Sequence, residues 1–458
     1  MKRRQFQRQH EAERQKLLTK TVRKHLSADP LIATVRNSFE QVPEPSNGKP
    51  EIPIADCLMS AYAMFALKAP SLLAFEERWK EEANNLKSIF KVQRIPSDTQ
   101  MRSRLDLVSP DELRSAHNAI LNELQRGKAL EEMHYLDEGY LMALDGTTYF
   151  SSRKLHAPFC LRKTSSETGK TTYQLQTLGA ALVRPDLKEV IPLIPEIISR
   201  QDGNNKDDCE INASKRFLAE FRKEHPHLKV VVVQDAISPN GPYIRFLRDI
   251  GYRFILTVKE ADHAHLFAQF DSAIQSKEVN ELILDDEKDP NTFHFFHWMN
   301  DLAINASHPD VRVNILEYYE VKGQVTKRFC WVTDIPLTEE NVYRIMRAGR
   351  ARWKIENETF NTLKNQGYNF EHNYGLGEKY LSMVFVKLMM LAFLVDQTQQ
   401  LCCVLFRSVW EKLGSKRSLW ENIRSLFLCF SLDSMEMLYR ALLHGFVRCE
   451  PILKPDTS

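Results

Sequence analysis

The chain has 458 residues, 43% hydrophobic and 10% aromatic, which gives room for about three domains with buried cores and excludes a disordered chain. Lys and Arg number 62 against 60 Asp and Glu, and the net charge of +2 argues against a protein that coats nucleic acid by overall charge. The longest apolar run, Leu388 to Val395, is stopped by Lys387 and Asp396, short of the ~20 residues of a bilayer span. No membrane partner is expected.

The first stretch, MKRRQFQRQHEAERQKLL, is basic but lacks the apolar core of a secretory signal. Residues 1–27 carry nine Lys/Arg against Glu11 and Glu13, so they read either as a solvated tail or as a phosphate-contacting arm. The loop-forming segment VPEPSNGKPEIP (Val42–Pro53) precedes a run of helical composition. In IPSDTQMRSRLDLV, Ser97 and Gln100 have capping-box spacing, and Arg94, Arg102 and Arg104 cluster around that helix start, where backbone donors favour phosphate. Residues 1–130 therefore read as a helical N-terminal DNA-binding region.

From Tyr140 the pattern changes to strands. YLMALDGTTYFSS is an apolar run ending in Asp-Gly, and TTYQLQTLGAALV is a second strand. Near His156 and Cys160 no further ligand pair follows at zinc spacing, so a surface imidazole and a buried thiol are expected. The eight cysteines show no C-x-x-C pair, which suits a reduced, cytoplasmic chain. Cys209–Arg222 reads as a helix, VVVVQD as a buried strand and Arg253–Lys259 as another, in α/β alternation. Residues 260–336 alternate in strand fashion, with a hairpin turn at VKGQV, and read as a β-rich insertion containing Trp298 and Trp331. Thr338 is expected to open a long helix that stops at Gly367, and the remainder is helical with apolar core stripes.

Two aspartates follow strands, Asp145 after LMAL and Asp235 after VVVVQ, and each precedes a small residue. Carboxylates at strand ends stand where open α/β sheets hold ligands. A third acid, Glu356, lies on the long helix with Arg352 one turn before it. Taken singly, Asp-Gly is a common turn and Arg352–Glu356 a common surface pair. Convergence of the three acids would hold two divalent metals for in-line displacement at phosphate, and Mg²⁺ suits such carboxylates. Asp207, Asp208 and Glu210 form a further acidic cluster that either helps the metal site or, as the default, caps the next helix.

The order Asp145, Asp235, Glu356, the last within RARWKIENETFNTLKNQGYNFEHNYG, resembles the bacterial insertion-sequence DDE transposases, in particular the group with a β-rich insertion and a Tyr-Arg-Glu-Lys signature. IPSDTQMR, ALDGTTYFSS, IISRQDGNNKDDCEINASKRFL and VVVVQDA share in the resemblance, which spans about residues 90–400. It implies an α/β fold: an RNase H-like mixed sheet (135–259 and 337–400) interrupted by the 260–336 insertion and flanked by helical 1–130 and 401–458 regions. It further implies Asp145, Asp235 and Glu356 as catalytic and metal-binding residues for two Mg²⁺, with Mn²⁺ able to substitute. Arg352 and Lys364 would contact DNA phosphate. The implied activity is cleavage of element ends and joining of 3′-hydroxyls to target DNA, by a homodimer on paired double-stranded DNA ends in a bacterial cytoplasm. A plain metal-dependent nuclease and a non-catalytic DNA-binding descendant are the rival readings. The signature Tyr position holds Gly349, and the Lys position, seven residues after the Glu, holds Leu363 with Lys364 next.

Charge is also segregated. Residues 1–27 are net +7 and 341–366 net +4, which with a total of +2 leaves −9 for the rest. Positive charge is thus expected along the proposed catalytic helix.

Overall fold

The computed structural model describes residues 23–445 apart from 47, 49, 80–83, 200–207, 236–238 and 287–288. Most of the basic N-terminal arm and Asp207 lie outside the described residues. The N-terminal region is helical: α1 (Ala28–Phe39), α2 (Ile54–Ala66), α3 (Asp98–Leu105) and α4 (Arg114–Arg126) are its main elements. α3 starts on a complete capping box, with Ser97 and Gln100 satisfying one another's backbone N–H groups.

One twelve-stranded mixed sheet forms the centre. After the short β1 (His134–Leu136), β2 (Gly139–Ser152) pairs antiparallel with β4 (Thr171–Val183), and β3 (Leu161–Thr164) lies beyond β4 at the sheet's edge. β5 (Ile191–Pro192) and β6 (Glu196–Ile198) also pair with β4. α5 (Glu210–Glu224) then crosses over, as a parallel step requires, into β7 (Val230–Gln234), whose four valines are fully buried beside β2. α6 (Gly241–Asp249) leads to β8 (Arg253–Thr257), parallel to β7. This is a mixed α/β fold compatible with the RNase H-like arrangement.

The β-rich segment follows α7 (Ala264–Gln275) and consists of β9 (Asn280–Asp285), β10 (Thr292–Ala303), β11 (Arg312–Lys322) and β12 (Val325–Thr333). Its strands are a continuation of the same sheet, because β12 pairs with β8 through Thr333↔Ile255 to Trp331↔Thr257. The VKGQV hairpin turns at Gly323, where φ is +59°. Trp298 and Trp331 are both buried, Trp331 in a stack with Phe329 at 5.8 Å.

Two expectations change. Asp145 is not at a strand end: β2 continues seven residues past it, since Gly146 stays extended and pairs with Leu178 instead of turning. The long helix from Thr338 is broken into α8 (Val342–Arg350), a turn at 351–352, a π-helical stretch Ile355–Phe360 and α9 (Asn361–Asn365). The stop at Gly367 holds, with φ +95°.

α10 (Leu381–Cys402), α11 (Val404–Leu413), α12 (Lys416–Cys429) and α13 (Met435–His444) complete the fold. α10 is long and apolar enough to cross a membrane, yet it is buried along its whole length inside the fold. The two charges that interrupt its apolar run are buried with partners: Lys387 donates to Pro110 O at 3.1 Å, and Asp396 pairs with Lys68 and with Tyr368 Oη.

Candidate active site

The site is assembled from four elements. Parallel pairing of β2 with β7 runs from Tyr140↔Val230 to Ala143↔Val233, so the same register carried two residues on sets Asp145 level with Asp235. Neighbouring strands lie ~4.8 Å apart, which brings these two acids side by side. On the Asp145 face, Phe360 and Ile355 pack over Gly179, the cross-strand partner of Asp145. That packing brings Glu356 onto Asp145, and the two carboxyls are hydrogen-bonded.

Arg352 bridges the acids, with Nη1 donating to Glu356 Oε1 at 2.8 Å and reaching Asp145 Oδ2 at 3.5 Å. Its side chain is 5% exposed, so the bridge is shielded from water. Trp353 lies beneath the guanidinium at 4.6 Å and is itself 48% exposed, an open aromatic surface beside the acids.

A fourth carboxylate completes the cluster. Glu210, the first residue of α5, accepts from the Gly146 N–H and the Gln234 amide and stands in the field of Asp235. A Cβ at position 146 would lie 2.6 Å from Glu210 Oε2, so only glycine permits this approach. Gln234 is locked in turn by Ser214 and Tyr243 Oη at 2.7 Å. Capping was the default reading of the Asp207–Asp208–Glu210 cluster; of the two described members, Glu210 stands beside Asp235 while Asp208 pairs with Arg216 at 2.7 Å.

The electrostatics follow from this crowding. Burial pushes the Asp145 carboxyl up to about 7, and the hydrogen bond to Glu356 and the charge of Glu210 push the same way against Arg352. Burial and Asp235 raise Glu210 as well. Arg352 is the counter-ion that Asp145 and Glu356 share. No three His, Cys, Asp or Glu side chains among the described residues are gathered into a ready-made metal cage. Arg352 sits where such a cage would close, between Asp145 and Glu356. As a donor set, four carboxylates and no nitrogen or sulfur fit a hard divalent cation such as Mg²⁺.

No protein-family model matches the chain, and no curated protein matches it. Among solved structures, the cryo-EM piggyBac transposase synaptic complex with hairpin DNA is similar at a TM-score of 0.40 and 12% identity, over 94% of this chain and 86% of that one.

The remaining sequence-selected residues fall into two groups. Lys364 shares the Glu356 face. A π-helix takes one residue more per hydrogen-bonded turn than an α-helix, so eight residues from Glu356 through Ile355–Phe360 correspond to seven in a regular helix. Leu363 is buried, and Lys364 pairs with Glu371 at 3.0 Å. Arg94, Arg102 and Arg104 are not brought to the acids. Arg94 donates to Glu51 O at 2.6 Å, Arg102 pairs with Asp98, and Arg104 is held by Glu44 and Ser46 within the N-terminal region.

The expected positive field along the helix is spent internally. Arg347 pairs with Asp186 at 2.6 Å, Arg350 with Glu320 at 2.6 Å, and Lys354 donates to Leu187 O at 2.6 Å. Gly349, at the signature Tyr position, has the Trp331 indole 2.5 Å from where a Cβ would stand. A tyrosine has no room there.

Proposed function

We propose that the chain is a DNA transposase that cleaves the ends of its element and joins 3′-hydroxyl ends to target DNA. The observation that carries this reading is the meeting of Asp145 and Glu356 at Arg352, with Asp235 level with Asp145 on the neighbouring strand by register. Asp145, Asp235 and Glu356 are the proposed ligands of two Mg²⁺ (or Mn²⁺). When bound, such ions lower the pKa of an attacking water or 3′-hydroxyl and offset charge on the leaving oxygen.

The protein's own residues do the rest. Burial and the neighbouring acids raise the Asp145 carboxyl to about 7, and Arg352 offsets part of the acids' charge in the free protein. Turned outward, the same guanidinium is suited to grip a phosphate through two parallel hydrogen bonds. Glu210 adds negative charge beside Asp235, and Lys364, one residue beyond the signature position, is the proposed second phosphate contact. Double-stranded DNA, as terminal repeats and target, is the proposed partner, with a homodimer on paired ends in a bacterial cytoplasm.

The test uses labelled duplex carrying the repeats that flank the reading frame, with Mg²⁺ and target plasmid. Nicked and joined products are expected, and Glu356→Gln should lower both by more than about a hundredfold. Full strand transfer by Glu356→Gln would overturn the triad. Nicking without joining of pre-cleaved ends would leave a plain nuclease, and DNA binding with no Mg²⁺-dependent nicking a non-catalytic protein.

A further inference from the structure

With the cations of residues 341–366 tied up inside the fold, positive charge open to solvent collects elsewhere: at the far end of β2 and the β3–β4 edge. Residues 153–170 hold Arg153, Lys154, Arg162, Lys163 and Lys170 against a single acid, Glu167, and all six are exposed. Arg153, Lys154, Lys163 and Lys170 have no carboxylate partner among the described residues.

One row of this edge, Arg162, Thr164, Thr171 and Tyr173, shares a face with the acid cluster, while Lys163 leaves the outermost strand on its other side. Along β4, side chains alternate, so Tyr173 and Gly179, six residues apart, lie on one face. Gly179 is the partner of Asp145, while Tyr173 is opposite both Ser152 of β2 and Arg162 of β3. Six residues at ~3.4 Å each set the Tyr173 row ~20 Å from Asp145. There His156 stacks on Tyr173 at 4.5 Å and 21°, with Arg162 5.9 Å from the same ring. Thr164 and Thr171 add paired hydroxyls at 3.1 Å.

We infer that this edge binds the sugar–phosphate backbone of duplex DNA running on from the acid cluster, an inference that rests on the transposase reading. A DNA strand presents one phosphate per ~3.4 Å, so a 20 Å separation corresponds to about six steps of duplex beyond the cleaved bond. Exposed cations and hydroxyls on a rigid strand pair supply sequence-independent contacts of the kind that fix register on a duplex. Lysines on an edge strand also guard against pairing with another chain. That role does not call for five cations within residues 153–170 beside a histidine–tyrosine stack.

The experiment is fluorescence anisotropy of the full-length chain with a labelled duplex across a salt series. Its variants are Lys154→Gln/Lys163→Gln/Lys170→Gln and the charge-keeping triple Lys→Arg change at the same sites. The Gln variant should bind at least about tenfold more weakly at low salt. Its slope of log affinity against log salt should be shallower by about 2–3, since each phosphate contact contributes about 0.9. The Arg variant should match the unmodified chain. If the unmodified protein binds and the Gln variant keeps its affinity and slope, the inference is wrong while the transposase reading stands. The same holds if the Gln variant only self-associates. If the unmodified protein binds no DNA, both are overturned.

Discussion

At the scale of the residue, burial and charge conflict at Asp145. Its neighbours Glu356 and Glu210 favour the protonated form, and Arg352 offsets them only in part. The direction of the stability effect follows. Below about pH 4 the carboxyl is protonated in both folded and unfolded chains. Between there and about 7 the unfolded chain loses the proton while the folded one keeps it, so stability falls as pH rises. Above 7 the penalty is complete. With chelator present, Asp145→Asn should therefore stabilise the protein at pH 8 by about 1–3 kcal/mol and lose that advantage near pH 4. Thermal unfolding at the two pH values checks it. A variant less stable than the parent at pH 8 would mean that Arg352 already compensates the cluster.

At the scale of the element, strands were the more legible part of the sequence. Thr171–Val183 and the four valines of β7 form the elements their composition indicates, since uninterrupted β-branched runs suit a strand buried on both faces. Asp145 and Asp235 stood out because each follows an apolar strand run, and Glu356 because Arg352 precedes it by one helical turn. Glu210 was not legible, because its approach depends on the missing side chain of Gly146 on β2, with four strands between them in the chain. The break in the Glu356 helix was equally hidden: no Gly or Pro marks residues 351–366, and the π stretch shows in sequence only as Lys364 displaced by one. Gly349 has a tertiary cause too, the Trp331 indole of β12 pressed against α8. Gly349→Ala should cost about 1–3 kcal/mol through overpacking, despite alanine's better helix propensity. Trp331→Leu in the same chain should recover part of that loss, read as the coupling in a double-mutant cycle by denaturant unfolding. Equal and additive losses would remove the indole as the reason for glycine.

At the scale of the whole molecule, the helical flanks and the site-bearing segment meet at one buried ion pair. Lys68 follows α2, Asp396 lies on α10, and Tyr368 comes directly after the helix segment that carries Glu356 and Lys364. Lys68 and Tyr368 both donate to Asp396 Oδ2, and the Lys68 ammonium sits 3.8 Å from the Trp420 ring of α12. Lys68 is fully buried, and burial lowers its pKa against the pull of Asp396. A buried pair of this kind contributes modest net stability, but removing one partner strands the other charge. Lys68→Met should thus destabilise by about 3–5 kcal/mol, because Asp396 is left with only the Tyr368 hydroxyl. Adding Asp396→Leu and Tyr368→Phe removes the stranded groups and should restore a large share of the loss. Because the three residues join the N-terminal helices, the site segment and the C-terminal helices, the single variant should also broaden the unfolding transition. A triple variant as unstable as Lys68→Met would show that packing of the lysine stem on Trp420, and not its charge, holds these regions together.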